Sequence, residues 1–272
     1  MNYYDTIAPI YDETRWMSEA VAEKVADVML EVVEANPSTS FLEPGVGTGI
    51  NVFPLIKRGY LVTGIDVSQN MLNQFRQKFT RIPKNLTLLC MDASTLSFSN
   101  GSFDVVLTVH MIHTVSDWKS FLNEIERVLK PKEFYLNAQW IMPSHRMKFD
   151  GYFRSILNQY EPLSNQLDIP TIEINVDKFF REKNWKSSYL VAHEWLTTNT
   201  VEELLSYYQS RAYGICWQIP DDVYHQVMKD FKKLCIRQYG SLRAELSSNT
   251  KFEIWSYTAS RRKRTPITHV EF

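Results

Sequence analysis

The 272-residue chain has no apolar run near the roughly 18 to 20 residues a membrane span requires. A transmembrane organisation is therefore excluded. Its first residues, MNYYDTIAPIYDETRW, are too polar for the apolar stretch of a secretory signal, so a soluble cytoplasmic protein is expected. Cysteine is sparse. Cys90, Cys216 and Cys235 stand singly, an odd number without redox or metal spacing, which predicts reduced structural thiols and argues against a disulfide framework. An excess of either charge is missing too: 30 Lys and Arg against 31 Asp and Glu leave a net charge of -1. Long-range attraction to nucleic acid or to an acidic membrane is not expected of such a chain. The exception is the basic RRKR at 261–264, within a segment 261–272 read as a solvated tail. No internal repeat and no low-complexity segment occurs.

What is present is a chain with 44% hydrophobic and 13% aromatic residues, enough to bury one elaborated domain or a domain with a cap. Up to about residue 140, short apolar runs alternate with helical periodicity. SFLE (40–43), LVTGID (61–66), LTLLC (86–90), FDVVLTV (103–109) and EFYLNA (133–138) read as strands, several of them apolar throughout, as buried parallel strands are. Residues 17–35, 50–58, 69–79 and 117–129 carry apolar residues at three- and four-residue spacing and read as helices. This alternation predicts a doubly wound α/β sheet. After Met142 the rhythm breaks. A helix–strand pair returns at 176–192, and FEIWSY (252–257) reads as a final strand. Within the intervening stretch, Thr200 with Glu203 forms a capping box, and 221–239 reads as a helix. We therefore expect a core of 1–142, 173–193 and 249–260, with insertions 143–172 and 194–248 forming a mostly helical lid over the substrate.

Glycine is concentrated where it is most informative. In FLEPGVGTGI (41–50), Gly45, Gly47 and Gly49 follow a strand and lead into a helix, forming the first strand-to-helix turn of the sheet, where positive φ and close ligand approach are both common. The GxGxG spacing differs from the GxGxxG of dinucleotide folds, in which a helix N-terminus faces a pyrophosphate. Glu43, two residues ahead, would repel a phosphate and suits an ammonium group. Asp66 ends the second strand, where an acid accepts both hydroxyls of a ribose. Asp92 ends the third and can accept from an adenine amino group, with Ala93 offering a backbone amide to the ring. Three acids at three consecutive strand ends match a nucleoside bearing an amino acid, which is S-adenosylmethionine.

EPGVGTG, GIDVSQNML, MDAS, SFDVVLTVHMIHTV and EIERVLKP resemble, in that order, the successive motifs of class I S-adenosylmethionine-dependent methyltransferases, nearest the small-molecule branch typified by ubiquinone- and menaquinone-biosynthesis enzymes. The resemblance covers about residues 1–140. It implies a seven-stranded, Rossmann-like, mainly parallel sheet whose last strand is antiparallel. It puts Glu43, Gly45, Gly47 and Gly49 around the methionine moiety, Asp66 on the ribose, Val67 and Met71 against the adenine, Asp92 and Ala93 at its edge, and His110 after the fourth strand. YDTIAPIYDETR resembles the leader that crosses the cofactor in these enzymes, making Tyr11 and Arg15 candidates for its closure and its carboxylate. KPKEFYL replaces the usual KPGG turn, and Thr114 stands where many relatives have Trp.

The implied chemistry is methyl transfer to an oxygen, nitrogen or carbon atom of a small molecule, largely by proximity and orientation. A hydroxyl acceptor gains from a base, for which His113, past a strand's carboxyl end, is the candidate; His145 and His193 are further options. His110 and His113 have HxxH spacing, but without nearby carboxylates or cysteines they make a poor ligand set, and no metal is expected. In the insertions Tyr152, Trp195, Tyr208, Tyr213 and Trp217 are candidates for an apolar substrate pocket, and Arg211 for pairing with an acidic group. HMIHTV lacks the Asn/Asp-Pro-Pro-aromatic signature of adenine-amino methyltransferases and the acidic pair that holds a guanidinium. A small, hydrophobic or aromatic metabolite is the expected substrate, with the protein a monomer or homodimer. Two other classes stay open: an S-adenosylmethionine-binding sensor or scaffold without turnover, and an NAD-dependent oxidoreductase, which the glycine spacing disfavours. From the ribose assignment, Asp66→Ala is expected to weaken S-adenosylhomocysteine binding by about 1.5–3 kcal/mol for each charged hydrogen bond lost, measured by titration calorimetry.

Overall fold

A computed structural model describes residues 3–161 and 175–259. The basic RRKR and residues 162–172 of the first expected insertion lie outside the described residues. Seven strands, β1 (Ser40–Pro44), β2 (Leu61–Asp66), β3 (Leu86–Cys90), β4 (Phe103–Val109), β5 (Leu129–Trp140), β6 (Trp185–Thr200) and β7 (Glu245–Ala259), form one sheet in the order β3-β2-β1-β4-β5-β7-β6. The first five are parallel, and β7 inserts antiparallel between β5 and β6. This is the doubly wound sheet that the strand–helix alternation predicts, with the antiparallel last strand that the family resemblance implies. The order reverses at β1 and β4, so the turns leaving their carboxyl ends open a crevice where ligands bind in such sheets.

Period-two side chains divide the core between the two faces. On β1, Phe41 joins the apolar cluster of α2 (Glu19–Val32), α3 (Phe53–Lys57) and α4 (Gln69–Gln77), while Leu42 joins that of α5 (Trp118–Val128) and α7 (Val176–Glu182). The helices begin where side chains can satisfy free backbone N–H groups. Ser68 accepts from the Met71 amide at the start of α4, and Asp117 from the Ser120 amide at the start of α5. The short α1 (Tyr3–Ile7) and two following 3-10 turns cross the carboxyl ends of the strands as a leader.

The cap is mostly helical, as expected, and what the sequence did not show is how it is mounted. β6 and β7 continue past the sheet as a two-stranded ribbon, residues 194–200 pairing with 245–251, and this ribbon carries α8 (Val201–Gln209) and α9 (Asp221–Tyr239). The β-branched, alternating WLTTNT run after Trp195 explains why: once a bulge between Val191 and His193 resets the register, it pairs as a strand. The capping box at Thr200 and Glu203 opens α8 as the sequence predicts. Together with α6 (Ser144–Tyr160) these helices close around their own cluster, including Phe149, Phe153, Leu204, Tyr208, Val227 and Phe231.

The turn before the core of β5 carries a local cost. Lys132 has φ of 72°, a left-handed conformation that favours glycine, at the place where relatives carry the Gly of KPGG. Its side chain is exposed, and its carbonyl accepts a hydrogen bond from the Thr258 hydroxyl at 2.9 Å that any residue could keep. Lys132→Gly is expected to raise the unfolding free energy by about 1 kcal/mol, read as a higher urea midpoint at unchanged slope.

Candidate functional site

The glycine turn hangs on one carboxylate. Asp66 accepts the Gly47 N–H at 2.9 Å on one oxygen and the Ser68 N–H at 2.8 Å on the other. Burial raises its pKa against these two bonds, and it stands at the mouth of a cleft of about 880 Å³. Gly45, Gly47 and Gly49 have φ of 70°, 54° and 75°. They serve different ends. A Cβ on Gly49 would stand 2.1 Å from the buried Phe75 ring, so that glycine lets α4 pack, whereas a Cβ on Gly47 would meet nothing within 4 Å and would project into the cleft. A bare backbone facing open volume is the fit a nucleoside-amino acid cofactor requires.

Glu43 lies beneath this turn and off the cleft wall. It is fully buried, its Oε1 accepts from Asn51 Nδ2 at 2.8 Å, and its Oε2 has no partner. Burial pushes its pKa up to about 8, with the Asp66 charge adding and the Asn51 bond opposing. Folded Glu43 thus takes up a proton that the unfolded chain releases, so its contribution favours folding at acid pH and fades as pH rises towards 8.

Along one side the cleft is lined by Asp66, Val67, Met71, Asp92, Ala93 and Ser94. Val67 is 56% exposed, a large apolar side chain facing the opening, while Met71 is buried beneath it. Asp92 is fixed by accepting the Ser94 N–H at 2.8 Å. The leader closes the other side. Arg15 stacks over the Tyr11 ring at 4.0 Å, both line the cleft, and Tyr4 meets Trp217 of the cap edge-on at 5.3 Å. Tyr3 stacks on the same indole at 5.1 Å and donates to the Trp217 carbonyl at 2.6 Å.

His110 and His113 both reach the cleft in different states. His110 has φ of 52°, and its Nε2 lies 2.9 Å from the Trp140 N–H and 3.0 Å from the Trp140 carbonyl, accepting from the one or donating to the other according to which ring nitrogen carries the proton. Burial lowers its pKa to about 4, helped by the charges of His113 and Arg15 and opposed by the contact with the Trp140 carbonyl, which favours a protonated ring. It is a neutral fixture of the wall. His113 is exposed at the cleft rim on a 3-10 turn after β4, and burial of part of the ring lowers its pKa. A neutral imidazole there can accept a proton.

Tyr213 and Trp217 line the cleft as expected, but four other cap residues do not. Tyr152 packs against Tyr239 in the cap; Trp195 sits on β6 and donates to the Trp16 carbonyl at 2.9 Å. The Tyr208 hydroxyl donates to Asp150 at 2.9 Å inside the cap cluster, and Arg211 pairs with Asp221 at 2.7 Å while covering the Tyr224 ring. Trp195, Tyr208 and Arg211 thus spend their polar tips within the protein. The wall is completed by residues that the sequence reading passed over: Tyr4, Trp16, Met111, Gln139, Trp140 and Met142. Trp140, Ile141 and Met142 directly extend the carboxyl end of β5, so the rule that placed Asp66 and Asp92 would have found them had the strand been carried beyond Ala138. Among the described residues no group of three or more His, Cys, Asp and Glu side chains is gathered to hold a metal ion, and no helix is long and apolar enough to cross a membrane.

Residues 42–136 match the family described as "Methyltransferase domain". A demethylmenaquinone methyltransferase of Tropheryma whipplei is 30% identical over 164 residues, 57% of this chain and 65% of that protein. One of Renibacterium salmoninarum is 27% identical over 158 residues, 58% and 63% of the two chains. The chain thus spans just under two thirds of the length of these relatives. Among solved structures, the YcgJ protein of Bacillus subtilis shares the fold with a TM-score of 0.52 at 15% identity, covering 88% of this chain and 99% of that one.

The two glycine roles separate experimentally. Gly49→Ala is expected to destabilise the fold by more than about 2 kcal/mol through overpacking against Phe75 and its positive φ. Gly47→Ala should cost only about 1 kcal/mol in thermal unfolding while weakening S-adenosylhomocysteine binding at least tenfold in calorimetry.

Proposed function

We propose that this chain is a class I S-adenosylmethionine-dependent methyltransferase that moves a methyl group onto an oxygen, nitrogen or carbon atom of a small, largely apolar or aromatic metabolite. The observation that carries the reading is the glycine turn bare towards open volume, with Asp66 and Asp92 at consecutive strand ends on the wall of the same cleft. Bound, the cofactor would supply a methyl group already attached to a good leaving group. Gly45 and Gly47 would take its amino-acid end, Arg15 its carboxylate, Asp66 the ribose hydroxyls, and Val67, Met71, Asp92 and Ala93 the base. Glu43, under the turn, would act on the ammonium end only through the turn it supports.

The acceptor is expected across from that turn, between Trp16, Met111, His113, Trp140, Met142, Tyr213 and Trp217. Aromatic and thioether side chains of this kind favour a flat apolar molecule. The relatives named demethylmenaquinone methyltransferases make a quinol-like hydroxyaromatic the first acceptor class to test. The volume of about 880 Å³ lies near the top of the ~300–1,000 Å³ range of small-molecule sites and suits two ligands side by side. The three free thiols, two of them buried, agree with reaction in the cytoplasm.

For a hydroxyl or acidic carbon acceptor, His113 would take the proton, and His110 would hold the Trp140 end of the wall in place. The test is turnover with labelled S-adenosylmethionine against a panel of hydroxyaromatics, amines and enolisable carbons. No labelled product from any acceptor, together with tight S-adenosylhomocysteine binding, would replace this reading with a sensor. With a hydroxyl acceptor, kcat/KM is expected to be flat above neutrality and to fall as pH drops through the lowered His113 pKa, since only the neutral ring accepts a proton. His113→Gln should then lower kcat about a hundredfold or more and remove that acid limb from the pH profile.

A further inference from the structure

A buried cation beside the cleft has no carboxylate partner among the described residues. Arg146, in the first turn of α6, is only 5% exposed, yet among the described residues no Asp or Glu forms an ion pair with it. Its Nε donates to Asn199 Oδ1 at 2.9 Å, and its Nη1 to the Thr14 carbonyl at 2.9 Å and the Tyr213 hydroxyl at 3.4 Å. Its guanidinium lies over the Trp16 and Tyr207 rings, each 5.3 Å away. Glu203 reaches it only through the Asn199 amide. A buried charge held by neutral groups alone is expensive, and proteins commonly keep one where an incoming anion completes it.

The surroundings say where that anion would sit. Arg146 lines a side chamber of about 250 Å³ with Phe149, Asp150, Arg154, Leu204 and Tyr208, and this chamber shares Met142, Tyr213 and Gly214 with the main cleft. Asp150 is already answered by Arg154 at 2.5 Å and by the Tyr208 hydroxyl. Two guanidinium groups and one carboxylate leave the chamber one positive charge in excess, which calls for a monoanion. The pairing role that the sequence suggested for Arg211 is closed by Asp221, whereas Arg146 lines the chamber without a carboxylate partner among the described residues.

We propose that the side chamber is a carboxylate subsite: the methyl acceptor carries a short apolar arm ending in a carboxylate, which passes Tyr213 and Gly214 to reach Arg146 while its reactive end stays in the main cleft. This rests on the methyltransferase reading and names the substrate class within it. An arm of this kind fixes register, because apolar contacts alone would let a flat ring slide along an aromatic wall, whereas a guanidinium fixes a carboxylate in direction as well as distance.

The test uses the full chain saturated with S-adenosylhomocysteine and a matched pair of probes, hydrocinnamate and hydrocinnamamide, in titration calorimetry. The expected result is tighter binding of the carboxylate by about tenfold to a hundredfold. The preference should disappear in Arg146→Gln and in Ile215→Trp, since Ile215 also lines the chamber and makes none of the guanidinium's hydrogen bonds. If Arg146→Gln fails to fold, loss of the preference in Ile215→Trp at unchanged S-adenosylhomocysteine affinity still carries the proposal. Equal binding or no binding of the two probes by the wild type overturns it, as does a preference that survives in either folded variant. Failure of the wild type to bind S-adenosylhomocysteine counts against the methyltransferase reading itself and is seen before either probe is added.

Discussion

The structure around the cleft depends on how the Asp66 carboxylate divides its two oxygens. One receives the Gly47 amide of the turn after β1, the other the Ser68 amide ahead of α4. Hydrogen bonds from backbone N–H to an ionised acceptor are short and directional, so two strand ends and a helix start are registered against one point. Ser68 extends the arrangement: its hydroxyl accepts the Met71 amide as the helix cap and donates to Asp5 of the leader at 2.6 Å. Turn, helix and leader are thereby fixed relative to each other, and Tyr4, Tyr11 and Arg15 inherit their places from it.

What could be read from the residues follows from how local the cause is. Strand-end acids, the glycine turn, the α4 and α8 caps and the amphipathic α5 are decided within a few residues of chain, and they stand where the pattern puts them. The divided roles of Gly47 and Gly49 were not legible, because only the position of Phe75 on the neighbouring helix distinguishes them. Arg146 was invisible for the same reason. Its environment is assembled from the leader, the ribbon, α6 and the cap, segments far apart in sequence.

The cap aromatics illustrate a second limit. Composition alone shows an excess of Tyr and Trp in the insertions, but a small helical unit has little interior, and it must use large side chains to make one. Phe149, Phe153 and Tyr208 are consumed in that interior, stacking or meeting edge-on around Phe231. Only Tyr213 and Trp217, on the irregular stretch between α8 and α9, are left to face the cleft. The side chains that recognise ligand therefore come from the part of the cap with the least regular structure, as binding residues on a rigid scaffold commonly do.

The ribbon on which that cap is mounted has a mechanical implication. Paired residues run from Trp185 and Ala259 at the far end of the sheet to Thr200 and Glu245 beneath α8, with a single bulge on the way. A unit joined to its base by a continuous ladder of hydrogen bonds behaves as a bracket with no pivot. Across the mouth α1 meets the cap through ring contacts and one hydrogen bond at Trp217, a seam far smaller than the ladder that carries the cap. The two sides of the mouth are thus joined by very unequal amounts of bonding.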